Sequence, residues 1–152
     1  MGAHSNLGVF SDAQALVASA ASTYTLNLNR TTPRIGVGVP IYLCVRVGAA
    51  FTVCTNYTFA LQGDADDGSG DPAGVWGTTF FQRTVVLASL TAGAWIFRIA
   101  LPYEAIIRHI RLYYTETGST EATGTVDAWL DLMPQSDIGQ KAQVWASPVG
   151  NP

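Results

Sequence analysis

The chain has 152 residues, 48% of them hydrophobic and only 12% charged, with eight Lys and Arg against eleven Asp and Glu. That length suits one domain of ~100–200 residues, large enough to bury ~70% of its unfolded surface without a metal or disulfide staple. The apolar content and a net charge of -3 exclude disorder, and a single lysine, Lys141, among scattered arginines argues against nucleic-acid binding.

Residues 1–10 lack the basic region and apolar run of a signal peptide. Residues 11–21 (SDAQALVASAA) are alanine-rich with a cap-like Ser11 or Asp12, yet Ala13, Ala15, Val17 and Ala20 fit helix and strand equally. Residues 1–21 are therefore read as an extended arm or a short helix. A first strand is predicted over 22–29, where Tyr24, Leu26 and Leu28 alternate with Thr25 and Asn27. After a turn with Pro33, Gly36 and Gly38, residues 41–47 put Ile41, Leu43, Val45 and Val47 on one face and Tyr42, Cys44 and Arg46 on the other. Residues 56–62 gather Tyr57, Phe59 and Leu61, and the acidic loop 63–74 follows. Further strands are predicted over 83–89, 94–101 (Trp95, Phe97 and Ile99 as core), 107–115 and 124–133. Residues 136–152 read as a tail carrying Trp145, either an arm packed on a neighbour or disordered.

Short strands between Gly, Pro, Asn and Asp clusters, with no βαβ alternation, predict an all-β fold. The architecture expected is an antiparallel two-sheet β-sandwich of jelly-roll type over 22–135, with an N-terminal arm. The longest apolar region, 84–97, is fenced by Arg83 and Arg98 and falls short of the ~20 residues of a membrane span, so no membrane partner is expected.

Signs of catalysis are scarce. No phosphate-cradling glycine loop and no G-x-S-x-G elbow occur. The histidines, His4 and His109, stand far apart, which disfavours a cupin-type metal enzyme, and His109 within a strand reads as structural. The loop DADDGSGD (64–71) places four aspartates close together, but glycine falls at position five and Val75 at position twelve, so the EF-hand pattern fails. It reads as a turn, with a bound cation as the alternative. Cys44 and Cys54 read as buried free thiols, with a bridge between them as the alternative. No cofactor and no catalytic residue are expected.

The last two strands suggest a hairpin. A register summing to 240 would give an apolar face of Ile110, Leu112 and Tyr114 beside Leu130, Ala128 and Val126. The other face would pair His109 with Asp131, Arg111 with Trp129 and Tyr113 with Asp127. Trp129 on a polar strip is either an interface anchor or a residue covered within the chain. Arg111, Tyr113, Trp129 and Trp145 form the candidate interface set. The charge fraction, half the ~25% of an average domain, implies a surface covered by other protein.

Four segments in order, FSDAQALVASAASTYTLNL (10–28), IGVGVPIYLCVRVGAAFT (35–52), FALQGDADD (59–67) and IALPYEAIIRHIRLYYT (99–115), resemble the jelly-roll capsid cement, or decoration, proteins of tailed bacteriophages. The Gly-Ser-Gly-Asp-Pro stretch within 68–76 departs from that family's Ala/Ser-Pro-rich loop. The resemblance implies a non-enzymatic virion protein, made in the host bacterial cytoplasm and placed on the outer surface of the capsid. Its implied partners are the major capsid protein and itself, as a homodimer or homotrimer, with no direct nucleic-acid contact. A carbohydrate- or receptor-binding jelly roll on the phage surface is the alternative; Trp76, Trp145 and Tyr113 would stack on sugars and the acidic loop would hold calcium. An unpaired strand edge or a terminal arm is expected in the contact.

Overall fold

Side chains alternate across a strand, so period-2 apolar runs give each strand one face to bury. Four strands do this fully: Leu43, Val45 and Val47; Tyr57, Phe59 and Leu61; Ile110, Leu112 and Tyr114; and Val126, Ala128 and Leu130 all have no exposed surface. Two sheets that each present such a face pack on one another. A computed structural model shows this arrangement and describes residues 8–28, 40–101, 109–118 and 123–131.

The strands are β1 (Val9–Ala15), β2 (Ala20–Ala21), β3 (Leu26–Asn27), β4 (Tyr42–Val47), β5 (Asn56–Asp64), β6 (Thr78–Val86), β7 (Trp95–Ala100), β8 (His109–Thr117) and β9 (Thr125–Asp131), with a 3-10 turn at Leu87–Ser89. One sheet, called A here, runs β1-β9-β4-β7, and the other, B, runs β2-β8-β5-β6, with β3 also on β8. Ala20 and Ala21 pair with Tyr114 and Tyr113, and Leu26 and Asn27 pair with Ile110 and His109, so β2 and β3 are one strand position interrupted by residues 22–25. Eight antiparallel positions result, four in each sheet, and the chain crosses between sheets at most steps. This is a jelly roll.

The predicted β8–β9 hairpin is wrong. β8 pairs with β5 in sheet B, while β9 lies between β1 and β4 in sheet A. Their apolar faces meet across the core instead of side by side, and the expected pairs His109–Asp131, Arg111–Trp129 and Tyr113–Asp127 do not form. Gly118 (φ +106), packed on Thr55, and Gly124, where a Cβ would stand 2.5 Å from the Phe51 ring, bracket the crossing.

Other boundaries shift for local reasons. Residues 11–15 and 20–21 are extended, not helical, because both pair into sheets. The predicted strand 22–29 keeps only Leu26 and Asn27. Ser22 is buried, its hydroxyl donates to the Tyr24 carbonyl at 2.9 Å and accepts from Leu112 N–H at 3.1 Å, and Tyr24 is turned out, 55% exposed. β6 starts at Thr78 rather than 83 and ends at Val86. In β7 a bulge opposite Val45 and Arg46 buries Ile96 and Phe97 in succession, so Trp95 faces outward and Ile99 is exposed, against the predicted core set. Cys44 and Cys54 are buried free thiols. The turn at 32–38, His4, residues 107–108, 132–133 and the tail with Trp145 lie outside the described residues, and no helix among the described residues is long and apolar enough to cross a membrane.

The two flanks of the sandwich are built differently. On the β1/β2 flank the chain hooks from sheet A into sheet B. Gln14 donates to the Ala21 carbonyl (2.8 Å) and accepts from Thr23 N–H (2.9 Å), while Tyr24 N–H donates to the Phe10 carbonyl (2.9 Å). The Ser11 and Tyr114 hydroxyls join at 2.7 Å inside it. On the β6/β7 flank the chain crosses through the longer link 87–94, and the side-chain ties are an edge-to-face contact of Phe81 with Phe97 (5.2 Å) and a bond from Arg83 Nη1 to the Ile96 carbonyl (2.8 Å).

Candidate functional site

The core-facing residues account for the fold, so sites for partners must come from the outer faces and edges. On the outer face of sheet B, β5 and β8 bring together Gln62 with Arg111 and Ala60 with Tyr113. The acidic loop returns over this end of the sheet and is fixed there by its own carboxylates. Asp64 accepts from the N–H groups of Ala65 (2.9 Å), Gly74 (2.5 Å) and Val75 (3.0 Å). Asp66 meets His109 Nε2 at 3.2 Å and accepts from Gly68 N–H. Asp67 accepts from the Ser69 N–H and hydroxyl and from Asp71 N–H, bonds that hold its carboxyl below its ordinary pKa. The aspartates therefore act as turn builders, and no three His, Cys, Asp or Glu side chains among the described residues converge to hold a metal.

The loop ends by delivering Trp76 to Arg111. Trp76 takes a left-handed backbone (φ +50), which costs of order 1–3 kcal/mol for a non-glycine residue. Its ring lies 4.2 Å from the Arg111 guanidinium, and the Tyr113 ring lies 5.2 Å from the same group. Arg111 Nε donates to Gln62 Oε1 at 3.0 Å. Burial lowers the Arg111 pKa from its ordinary value, opposed by the nearby Tyr113 and Asp64. Val75, beside Trp76, is 78% exposed. Arg111 and Tyr113, predicted as interface residues, thus stand together; Trp76 and Gln62, which complete the cluster, were not in that set.

The outer face of sheet A holds a second aromatic cluster. Trp129 lies beside Cys44 in register and meets the Trp95 ring at a tilt, with centroids 5.7 Å apart. Arg98 and Arg46 stand 4.6 and 5.9 Å from the Trp95 ring, and Arg46 pairs with Asp127 at 3.6 Å. Trp129 is only 7% exposed, so its ring is covered within the chain. The arginine stack expected on it sits instead on Trp95 and, for Arg111, on Trp76. Beneath, burial pushes the Cys44 thiol up to about 11, helped by Asp131 and opposed by Arg98.

A family model, Bbp16, matches residues 10–130, which takes in both sheets from β1 to β9 except Val9 at one end and Asp131 at the other. The chain belongs to the Bbp16 family. Bbp16 is phage-associated, so the chain is read as a phage protein. No curated protein matches it. The Bbp16 match covers the acidic loop and both outer-face clusters, so these belong to the shared domain rather than to an appended segment.

Proposed function

We propose that this Bbp16 protein is a capsid cement, or decoration, protein. It binds the outer surface of the phage head on the major capsid protein, as a homodimer or homotrimer, and holds the shell against internal DNA pressure. The observation that carries this reading is the combination of a phage-associated family with a jelly roll whose longest edge is open. β6 runs nine residues, pairs only with β5 among the described residues, and carries Arg83 as its one charge. A strand edge of that kind suits pairing with another chain. The low charge fraction fits a surface that works covered.

The physical task needs no catalysis. Each copy contributes a modest contact, and an oligomer that spans neighbouring capsomers converts the second contact into an intramolecular one, so detachment becomes rare. The sandwich must be rigid for this, and its fully buried aromatic and aliphatic core supplies that rigidity. The sugar-binding alternative draws less support. Arg111 already lies against both Trp76 and Tyr113, and Asp64 and Asp67 serve backbone N–H groups of their own loop.

The test is light scattering of the purified chain, followed by sedimentation with phage heads that lack it. A dimer or trimer that co-sediments and raises the temperature at which heads rupture is the expected result. A monomer that leaves heads unprotected and binds an immobilised glycan would replace this reading with the sugar-binding one.

A further inference from the structure

Arg111 differs from Arg46 and Arg83 in what its guanidinium meets. Arg46 has Asp127 as a partner and Arg83 donates to a backbone carbonyl. Arg111 uses one N–H, on Gln62, while Trp76 and Tyr113 lie against the guanidinium. Among the described residues no carboxylate reaches ion-pair distance of it and its terminal nitrogens have no acceptor. A guanidinium offers five N–H donors, so four remain available as a fork. The nearby acids do not answer it, since Asp64 serves three backbone N–H groups and Asp66 serves His109 and Gly68.

A half-buried cation with an unused planar fork fits a carboxylate, which it binds through two parallel bonds. A polyanion is a poor match, because the chain carries a net charge of -3 and Asp67 and Asp71 stand on the adjoining loop. Val75, largely exposed beside Trp76, adds an apolar contact at the rim. We propose that Arg111, oriented by Trp76, Tyr113 and Gln62, is an anchor that receives one Asp or Glu side chain from the outer surface of the shell protein. The proposal rests on the cement reading and names the chemistry of its partner. Held between the two rings, the side chain loses little further freedom on binding, which is how arginine becomes an interface hot spot.

The experiment compares wild type, Arg111→Ala, Arg111→Lys and, as a control on the outer face of the other sheet, Arg46→Ala for binding to heads lacking this protein, over a range of salt concentrations. Circular dichroism and light scattering monitor fold and oligomer. Expected is a loss of at least about thirtyfold in affinity for Arg111→Ala. Arg111→Lys should lose nearly as much, because lysine keeps the charge but not the fork. Arg46→Ala should stay near wild type, because an exposed ion pair contributes little. Should Arg111→Ala disturb the fold, Arg111→Lys decides alone.

Wild-type binding with unchanged affinity in both Arg111 variants overturns the anchor and leaves the cement reading standing. Full rescue by lysine overturns the two-bond recognition. A change of oligomeric state with head binding intact overturns the shell partner in favour of a second copy. Failure of the wild type itself to bind heads overturns the cement reading, and the anchor's partner with it.

Discussion

The β1/β2 flank and the β6/β7 flank close the same sandwich by different means. At β1/β2 the backbone itself passes from one sheet to the other, and side-chain amides and hydroxyls tie the passage at distances of 2.6–2.9 Å. At β6/β7 the chain crosses as well, through the longer link 87–94, but the strands themselves are tied only by Phe81 on the buried Phe97 and by Arg83 on a carbonyl, and the outer edge of β6 pairs with nothing among the described residues. A jelly roll can thus be sealed on one flank and open on the other. On the proposed reading the sealed flank carries stability and the open one offers an edge to a partner.

The largest effect should separate the flanks directly. Phe10 on β1 has no exposed surface, so Phe10→Ala should cost about 3–5 kcal/mol in chemical denaturation. Phe81 on β6 is only half-buried, and Phe81→Ala should cost about 1–2 kcal/mol. Equal losses would mean that the open flank carries as much of the fold as the sealed one.

Alkaline titration should act on the sealed flank through Tyr114. Burial raises its pKa, with Asp127 adding and the Ser11 bond opposing. Tyr57 in the core is pushed up to about 12, mainly by burial, and Cys44 to about 11. Each group holds its proton more tightly folded than unfolded. Their contribution is whole below the unfolded pKa, near 9 for the thiol and 10 for the phenols, and is lost as pH rises through the folded values. The melting temperature should therefore fall from about pH 9 upward, and Tyr114→Phe should flatten that fall while costing about 1 kcal/mol at neutral pH. An alkaline slope identical in the variant would remove Tyr114 from this account.

The smallest effect on stability should come from the open edge. Thr84→Lys, on the exposed face of β6 where the Thr84 hydroxyl bonds that of Thr58 (2.7 Å), should change unfolding free energy by no more than about 0.5 kcal/mol. It should nevertheless reduce self-association or head binding, because a lysine on an edge deters strand addition. Unchanged association would shift the contact to another edge or to a face.

Alternation made much of the core legible: the inward sets of β4 and β5 are those that the sequence pattern predicts. Alternation states which face a residue occupies and nothing about which strand lies beside it, which is why Ile110–Tyr114 and Val126–Leu130 looked like one hairpin. The jelly roll expected from the same sequence places those two strands in opposite sheets, so the two expectations excluded each other, and the fold prevailed. The arm was ambiguous for a different reason. Positions 13, 15, 17 and 20 fit helix and strand equally, and the strand β1 itself is irregular, with Ala13 at φ +45 beside a register shift. The candidate site was half visible. Arg111 and Tyr113 share a strand face by spacing alone, but Trp76 reaches them only because Asp64 captures the N–H groups of Gly74 and Val75, ten and eleven residues away.

Gln14 gives the sealed flank a further property. Its amide accepts one backbone N–H and donates to one backbone carbonyl, as a peptide unit in a neighbouring strand would. The hook is therefore fastened at Gln14 and again where Ala20 and Ala21 join β8, and the exposed residues Val17 and Ala18 between them carry no strand pairing. Foreign peptide spliced between Val17 and Ala18 would lengthen a loop whose two ends are already pinned, at an entropic cost that grows only with the logarithm of its length. That makes this position the natural attachment point for an epitope or an affinity tag.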